Sequence, residues 1–298
     1  MRERPLLFGT LAVVAAASGF GLLGVLSRFS YEAGLAPLPF TAWRGLFGFA
    51  IVLVVIAARR RTGVAYVDPR SLSREDQVAL VLVGASAIGL NLGMFVGFSV
   101  ASIAIVLLCF YTYPALVALV AVALGHERLD ALGWTALGLA LVGMVLVVAG
   151  GSSGELGAIQ PAGVLLGLAA AGCQVLFVTL TRGRYRSVPA EQVQAWQLVV
   201  VAAFCLVASI AVGADVGVPL ANGRALGLVL LTGIVAAGIP SILFLVGLRA
   251  IGGTRAGVLM LIEPLVGVTL AALVLGEALR PVQVVGGAAI LAGALLLQ

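Results

Sequence analysis

Apolar residues fall in long blocks along most of this chain, and short polar or charged segments separate the blocks. A helix needs about 20 apolar residues to cross a bilayer, because it rises ~1.5 Å per residue through a hydrocarbon core ~30 Å thick. We predict ten spans of this kind, at residues 6–28, 38–58, 77–97, 102–124, 131–150, 160–182, 191–213, 225–247, 254–275 and 281–298. The pattern therefore predicts an all-α membrane protein with ten transmembrane helices.

The length of the blocks excludes a transmembrane β-barrel. Barrel strands are about 10 residues long and alternate polar with apolar side chains, whereas these blocks are apolar throughout. Composition agrees, since 62% of the 298 residues are hydrophobic and only 10% are charged, which is more apolar surface than a water-soluble core can bury. The 39 glycines, distributed through the blocks, indicate helices that pack closely in lipid.

The second half of the chain repeats the first. Pro114 and Pro264 lie 150 residues apart, whereas Arg28 and Arg182, nearer the start of each half, lie 154 residues apart. A few loop residues gained or lost explain the difference. We predict two five-helix repeats, at residues 1–150 and 151–298.

The first span has some features of a secretory signal. Arg2 and Arg4 precede it, and residues 15–18 resemble a cleavage site. Its counterpart in the second repeat lies in the middle of the chain, where a signal peptide cannot be. We therefore expect the first span to be retained.

The arginines predict how the chain is oriented. With the amino terminus in the cytoplasm, thirteen arginines lie in cytoplasmic segments: Arg2, Arg4, Arg59, Arg60, Arg61, Arg70, Arg74, Arg128, Arg182, Arg184, Arg186, Arg249 and Arg255. Three lie on the opposite side: Arg28, Arg224 and Arg280. This bias predicts cytoplasmic termini in a cell inner (plasma) membrane. Because five helices is an odd number, the second repeat is inverted relative to the first, as in many transporters.

Several classes of function are excluded. The net charge of +5 does not indicate nucleic-acid binding, because the arginines lie where membrane topology and anionic lipid place them. His126 is the only histidine, and neither a nucleophile, histidine and acid set nor a metal-ligand cluster can form around it. Cys109, Cys173 and Cys205 lie within predicted spans without disulfide spacing and are expected to be packing residues. We expect no catalytic residues, metal or cofactor.

Gly19, Gly21 and Gly24 match the GxGxxG pattern of dinucleotide-binding proteins. That pattern requires a preceding strand and an acidic residue about 20 positions later, inside a βαβ unit. Here it lies within an apolar span. Close packing of helices is the favoured interpretation.

Proline and acidic motifs recur in both halves. They are Tyr113-Pro114 followed by GHERL at 125–129, and Glu263-Pro264 followed by LGEAL at 275–279. With five helices per repeat, the chain resembles the EamA-type ten-helix branch of the drug/metabolite transporter superfamily over nearly its whole length. The first copy departs from the usual pattern at His126, where the family and the second copy, at Gly276, have glycine. The resemblance implies transport of a metabolite but does not specify which one.

The motif residues have a structural interpretation. Glu127 and Glu277 precede the fifth and tenth spans, where a carboxylate favours the positive end of a helix; a gating role is the alternative. Pro114 and Pro264 are expected to bend their spans and free a backbone carbonyl each, which lipid tolerates only beside protein or a wet cavity. Asp130 is expected to cap the fifth span and Pro281 to start the tenth.

Buried polar side chains are the candidate substrate-binding residues. Arg44 lies near the outer end of the second span and Glu263 near the middle of the ninth, and charges at such depths usually face a cavity. The other candidates are the polar or amphipathic residues within spans: Trp43, Asn91, Tyr111, Tyr113, Gln174, Trp196, Gln197 and Ser241. A structural tether between Arg44 and Glu263 is the alternative for the two charges. The tryptophans fit interfacial anchors as well as they fit cavity walls.

These features predict a transporter of small polar metabolites that works by alternating access around a midplane cavity. Amino acids or related compounds are the expected substrates, mainly because the family resemblance implies metabolite transport, and one buried cation with one buried anion suits a zwitterion. Arg44 and Glu263 are expected to differ in depth by about 9 Å, which leaves room for a small ligand. Export is the expected direction, and protons are a candidate coupling ion. A non-transporting scaffold or sensor is the alternative, and a membrane-embedded enzyme comes third.

Overall fold

The computed structural model describes residues 3–101, 103–151, 160–183, 188–276 and 278–297. Every regular element within these ranges is helical, which confirms the predicted all-α fold. In the same ranges, nine helical segments are long and apolar enough to cross a membrane, and a tenth apolar helix, Pro281–Leu296, is shorter.

The first half of the chain provides five spans. Its helices are α1 (Glu3–Gly21), α2 (Leu23–Glu32), α3 (Pro37–Arg61), α4 (Arg74–Val100), α5 (Ile103–Phe110), α6 (Tyr113–Ala123) and α7 (Ala131–Gly151). Together α1 and α2 form the first span, which continues to Glu32, beyond its predicted end. Polar residues do not end this helix because the Ser27 and Ser30 hydroxyls donate to carbonyls of the preceding turn at 2.8 Å. The fourth span combines α5 with α6.

The second half provides the other five spans. Its helices are α8 (Pro161–Gly183), α9 (Ala190–Ala211), α10 (Val218–Ala221), α11 (Gly223–Gly233), α12 (Ile239–Ile251), α13 (Gly253–Met260), α14 (Ile262–Leu275) and α15 (Pro281–Leu296). A π-helical segment, Ile234–Gly238, joins α11 to α12 within the eighth span. The ninth span combines α13 with α14.

Proline interrupts the fourth and ninth spans at equivalent positions. Pro114 has no N–H to donate to the carbonyl of Phe110, and α5 ends at Phe110. Pro264 likewise cannot bond to Met260, where α13 ends. The predicted bends are therefore present as breaks between two short helices.

The eighth and first spans are also irregular. Pro240 cannot bond to the carbonyl of Ala236, which lies in the π-helical segment, so the local hydrogen-bond pattern shifts. The first span is interrupted at Leu22. The two irregular places are neighbours, because a Cβ on Gly19 would lie 2.5 Å from Pro240 Cγ and 2.8 Å from the carbonyl oxygen of Val235.

Spans of one half pack mainly on spans of the other. The paired helices are α1 with α12, α3 with α9, α4 with α8, α6 with α13, and α7 with α15. The first and third pairs are equivalent under the repeat, as expected for two inverted five-helix units.

Glycine permits the closest of these contacts. A Cβ on Gly143 in α7 would lie 2.5 Å from the carbonyl oxygen of Gly286 in α15, so the two backbones touch. Gly19 and Gly21, two glycines of the GxGxxG pattern, also lie against other helices. A Cβ on Gly21 would lie 2.9 Å from the carbonyl oxygen of Glu263. The packing interpretation of that pattern is confirmed for these two, whereas Gly24 faces open space.

Candidate functional site

The breaks in the fourth and ninth spans place three ionisable or polar side chains together. Glu263, in the first turn of α14, forms a side-chain hydrogen bond with Tyr111, in the interruption between α5 and α6. Tyr113 is close enough to interact electrostatically with the same carboxyl group. Both tyrosines are buried, and Phe110 packs against them with ring centroids 5.3 and 5.2 Å apart. We call Glu263, Tyr111 and Tyr113 the acidic cluster.

The interruption of the first span lies beside the acidic cluster. A Cβ on Gly21 would collide with the carbonyl oxygen of Glu263 at 2.9 Å and with the side chain of Val266 at 2.8 Å. Three irregular backbone segments therefore meet at the acidic cluster, from the first, fourth and ninth spans. In membrane transporters, such discontinuous helices supply backbone polar groups to substrate sites.

Arg44 occupies a second, separate polar environment. Its guanidinium carbon lies 6.0 Å from the centroid of the Phe40 ring, and Tyr31 and Cys205 are close enough to interact with it electrostatically. Its Nε atom is buried and has no hydrogen-bond partner among the residues that the structure describes. Arg44 is half-buried as a residue, and an unpaired guanidinium nitrogen within a membrane span is costly.

The structure does not bring Arg44 and Glu263 into contact. Within the described part of the chain, no carboxylate oxygen lies within 4.0 Å of a nitrogen of Arg44, and the two residues share no interacting side chain. Each of the two residues contacts a different irregular span. The backbone of Arg44 contacts Gly233 at the start of the π-helical segment, and Gly21 contacts the backbone of Glu263.

The remaining predicted site residues divide into two groups. Asn91 and Ser241 each donate a hydrogen bond to a carbonyl of their own helix, at 2.8 and 2.6 Å. Gln174 and Gln197 are half-buried on α8 and α9. None of these four interacts with the acidic cluster or with Arg44 among the contacts of the described residues.

Both tryptophans bind backbone carbonyls of the opposite repeat. Trp43 donates from Nε1 to the carbonyl of Val216 at 2.9 Å and stacks on Phe47, with ring centroids 5.7 Å apart. Trp196 donates to the carbonyl of Leu80 at 2.9 Å, and 37% of its surface is exposed. Each tryptophan therefore anchors its own helix to the opposite repeat, near the end of a span.

Glu127 joins three elements at the end of the molecule that the arginine pattern assigns to the cytoplasm. Its Oε1 atom pairs with the guanidinium of Arg182 near the end of α8, and accepts the backbone N–H of Gly253, the first residue of α13, at 2.9 Å. Gly252 has a φ of +91°, and a Cβ there would lie 2.8 Å from Glu127 Oε1 and 3.0 Å from Arg182 Nη2. Glycine is therefore required at this position. We call Glu127, Arg182 and Gly253 the clasp.

The clasp differs from the role expected for Glu127. The sequence assigned this carboxylate to the start of the following helix, α7. Asp130 caps that helix instead, as predicted, by accepting from the N–H of Gly133 at 2.8 Å, while Glu127 stabilises the positive end of α13 in the other repeat. Glu277, the repeat counterpart of Glu127, lies outside the described residues.

Sequence reasoning missed the clasp although signals for it were present. Arg182 and its counterpart Arg28 recur at a spacing of 154 residues, and both sit at the end of the first span of their repeat. The recurrence indicates a shared role but does not identify a partner. In the structure Arg28 pairs with Glu32 on its own helix at 3.6 Å, whereas Arg182 reaches across to the first repeat. The described residues contain no group of three acidic, histidine or cysteine side chains suited to a metal ion.

Comparison with known proteins gives consistent results. The sequence matches the EamA-like transporter family over residues 7–149 and again over residues 161–298. An uncharacterized transporter from Archaeoglobus fulgidus is 29% identical over an alignment of 297 residues, which covers 97% of this chain and 96% of that protein. A protein of known crystal structure has the same fold, with a TM-score of 0.81 over 97% of both chains at 22% sequence identity.

Proposed function

This chain belongs to the EamA-like transporter family, and on that premise we propose that it moves a small polar metabolite across the membrane by alternating access. The observation that carries the proposal is the convergence of three interrupted spans on Glu263 and Tyr111. Interrupted helices expose backbone donors and acceptors at membrane depth, which is tolerated where they line a cavity. A solute bound there would contact both repeats.

The charges favour a zwitterionic substrate such as an amino acid or a related compound. Arg44 has a buried nitrogen without a hydrogen-bond partner in the described chain, which suits a carboxylate or another anionic group. Glu263 carries the opposite charge and suits an ammonium group. Because they do not contact each other, a ligand can lie between them, or each can be used at a different stage of the cycle.

The clasp supports a conformational cycle. It ties α13 of the second repeat to the segment after α6 of the first, so it holds one end of the molecule closed while it is intact. The breaks in the fourth and ninth spans allow each half-helix to tilt separately. We propose that opening toward the cytoplasm requires the ion pair between Glu127 and Arg182 to separate.

Direction, coupling and location complete the proposal. We propose export as the direction and the cell inner (plasma) membrane as the location. The arginine distribution favours cytoplasmic termini. We propose protons as the coupling ion and Glu263 as their carrier, because a carboxyl group hydrogen-bonded to a tyrosine at membrane depth can bind and release a proton.

Flux through the purified protein in liposomes tests the substrate site. Amino acids and related metabolites are first screened for thermal stabilisation of the full chain, and the best compound is used for transport. We expect Arg44→Gln and Glu263→Gln each to lower flux by about tenfold or more, because a hydrogen bond to a charged group contributes ~1.5–3 kcal/mol. Arg61→Gln is the matched control, since Arg61 is an exposed arginine on the same helix as Arg44.

The double variant separates the site from a tether. If Arg44 and Glu263 only neutralise each other, each single change strands a buried charge and lowers stability, and the double change restores both stability and flux. Recovery of this kind would overturn the substrate-site proposal. The absence of flux for every stabilising compound, in protein that remains monodisperse, would favour the scaffold or sensor alternative.

A further inference from the structure

An apolar cavity lies away from the acidic cluster, at the end of the molecule assigned to the cytoplasm. Its volume is about 240 Å³, and it is enclosed by α3, α4, α9 and the segment between α3 and α4. The side chains that surround it are almost all apolar, and they include Leu53, Ile56, Tyr66 and Trp196. Such a lining suits an apolar group better than a polar metabolite.

One face of α3 lines the cavity along its length. Phe49, Leu53 and Ile56 line the cavity at intervals of three or four residues, and Arg60 follows on the same face. From Phe49 to Arg60 this face is roughly 16 Å long, at ~1.5 Å per residue. One leaflet of a bilayer has a hydrocarbon layer of about 15 Å, half of the ~30 Å core. The face therefore matches the length of an acyl chain and ends at a cation.

The cation is held at the rim of the cavity. The guanidinium carbon of Arg60 lies 5.4 Å from the centroid of the Tyr66 ring, and Tyr66 lines the cavity. The N–H of Val67 donates to the side chain of Gln192 at 3.2 Å, which attaches this part of the wall to α9. The neighbouring Arg59 is already paired with Glu191 at 2.9 Å. Arg60 has no such carboxylate partner among the described residues.

The mouth of the cavity opens on the apolar surface of the protein. Leu53 and Trp196 are 44% and 37% exposed, although both also line the cavity. In a chain with nine helices of membrane length among its described residues, exposed apolar side chains on a span face lipid. Lipid therefore has direct access to this cavity from the membrane.

We propose that this cavity binds an acyl chain of an anionic phospholipid from the cytoplasmic leaflet, with the headgroup phosphate held by Arg60. The phosphate would form a charge-assisted hydrogen bond with the guanidinium, and the chain would lie along Phe49, Leu53 and Ile56. The bound lipid contacts α3 of the first repeat and α9 of the second, so it stabilises the contact between the repeats. The inference depends on the membrane location and not on the identity of the transported substrate.

Native mass spectrometry of the full chain in detergent tests the proposal. Dioleoyl phosphatidylglycerol and dioleoyl phosphatidylcholine carry identical chains, and we expect the first to be retained preferentially. Arg60→Gln should reduce this preference by threefold or more, on the order of the effect of one phosphate contact. Arg61→Gln is the matched control, because it removes the same charge from the adjacent position, on another face of α3.

A second pair of variants tests the chain-binding part. Leu53→Trp places a bulky ring at the mouth and should lower retention of phosphatidylglycerol, whereas Leu46→Trp, at a similarly exposed position outside the cavity, should not. Glycerol phosphate, which has the anion but no acyl chain, should not compete.

Any one of four results would overturn the proposal. One is equal retention of the two lipids by the unmodified chain. Another is an equal loss of preference in Arg60→Gln and Arg61→Gln, which would mean only general attraction to a basic surface. The third is unchanged retention in Leu53→Trp, and the fourth is displacement of the lipid by glycerol phosphate.

Discussion

At the scale of single residues, three partly buried charges of this protein differ in how many polar partners surround them. Glu127 receives an arginine and a backbone N–H, and Glu263 receives a tyrosine hydroxyl. Arg44 has an aromatic ring and two weakly polar side chains near it, and its Nε has no hydrogen-bond partner in the described chain. Satisfied charges hold structure together, whereas an unsatisfied one is available for a ligand.

The clasp gives a prediction at this scale. Glu127→Gln removes the charge that pairs with Arg182 but keeps an oxygen for the N–H of Gly253, whereas Glu127→Ala removes both. We expect Glu127→Ala to lower the free energy of unfolding by about 1–3 kcal/mol and Glu127→Gln to lower it less. Thermal unfolding in detergent measures both changes.

Arg128→Gln is the control for this pair, because Arg128 is adjacent and exposed. It should leave the midpoint of thermal unfolding unchanged. If it lowers the midpoint as much as Glu127→Ala does, the stabilisation comes from the general charge of the segment and the clasp is not a specific contact.

At the scale of helices, proline and glycine have opposite roles. Pro114, Pro240 and Pro264 each remove one backbone hydrogen bond, and each lies at an irregular part of its span. Glycines such as Gly143 and Gly286 allow neighbouring helices to touch along their backbones. The spans that meet at the acidic cluster are interrupted, whereas α7 and α15, which pair away from it, are continuous.

Two glycines on α7 provide a matched test of this packing. A Cβ on Gly143 would lie 2.5 Å from the carbonyl oxygen of Gly286, whereas one on Gly138 would meet nothing within 4 Å. We expect Gly143→Ala to destabilise the protein by about 1–3 kcal/mol, because the helices must separate. Gly138→Ala should stabilise it by up to ~1 kcal/mol through helix propensity.

The midpoint of thermal unfolding measures both glycine variants. Shifts of opposite sign are the expected result. Equal shifts would mean that the contact between α7 and α15 is looser than it is in the structure.

At the scale of the whole molecule, each repeat is completed by the other. The helix pairs α1 with α12 and α4 with α8 are equivalent in the two halves, and both join one repeat to the other. Neither half can bury its packing surfaces alone. A change at the junction of the repeats, such as separation of the clasp, can therefore alter the arrangement of the whole bundle.

Cysteine labelling tests the orientation of the bundle. The arginine bias predicts that Ser71, in the segment after α3, is cytoplasmic and that Gly217, before α10, is on the opposite side. A membrane-impermeant thiol reagent added to intact cells should label Gly217→Cys but should label Ser71→Cys only after the membrane is opened. The unmodified chain is the control, because its three cysteines, Cys109, Cys173 and Cys205, are buried or half-buried. Labelling of Ser71→Cys from outside would contradict the predicted orientation.

The sequence alone determined the membrane spans, their approximate bounds, the internal repeat, the breaks at Pro114 and Pro264, and the family. These features depend on local properties, since hydrophobic length sets a span and a missing N–H interrupts a helix wherever it occurs. The family match over both halves confirms the resemblance that the motifs indicated.

Only the tertiary structure decided which side chains meet. It paired Glu263 with Tyr111, joined Glu127 to Arg182 and α13, left Arg44 without a carboxylate partner in the described chain, and formed the apolar cavity beside α3. The physical reason is that these helices are apolar on every side. Without an apolar stripe, a sequence does not indicate which face of a helix meets its neighbour. That choice depends on close contacts between residues far apart in the chain, such as those at Gly21 and Gly252.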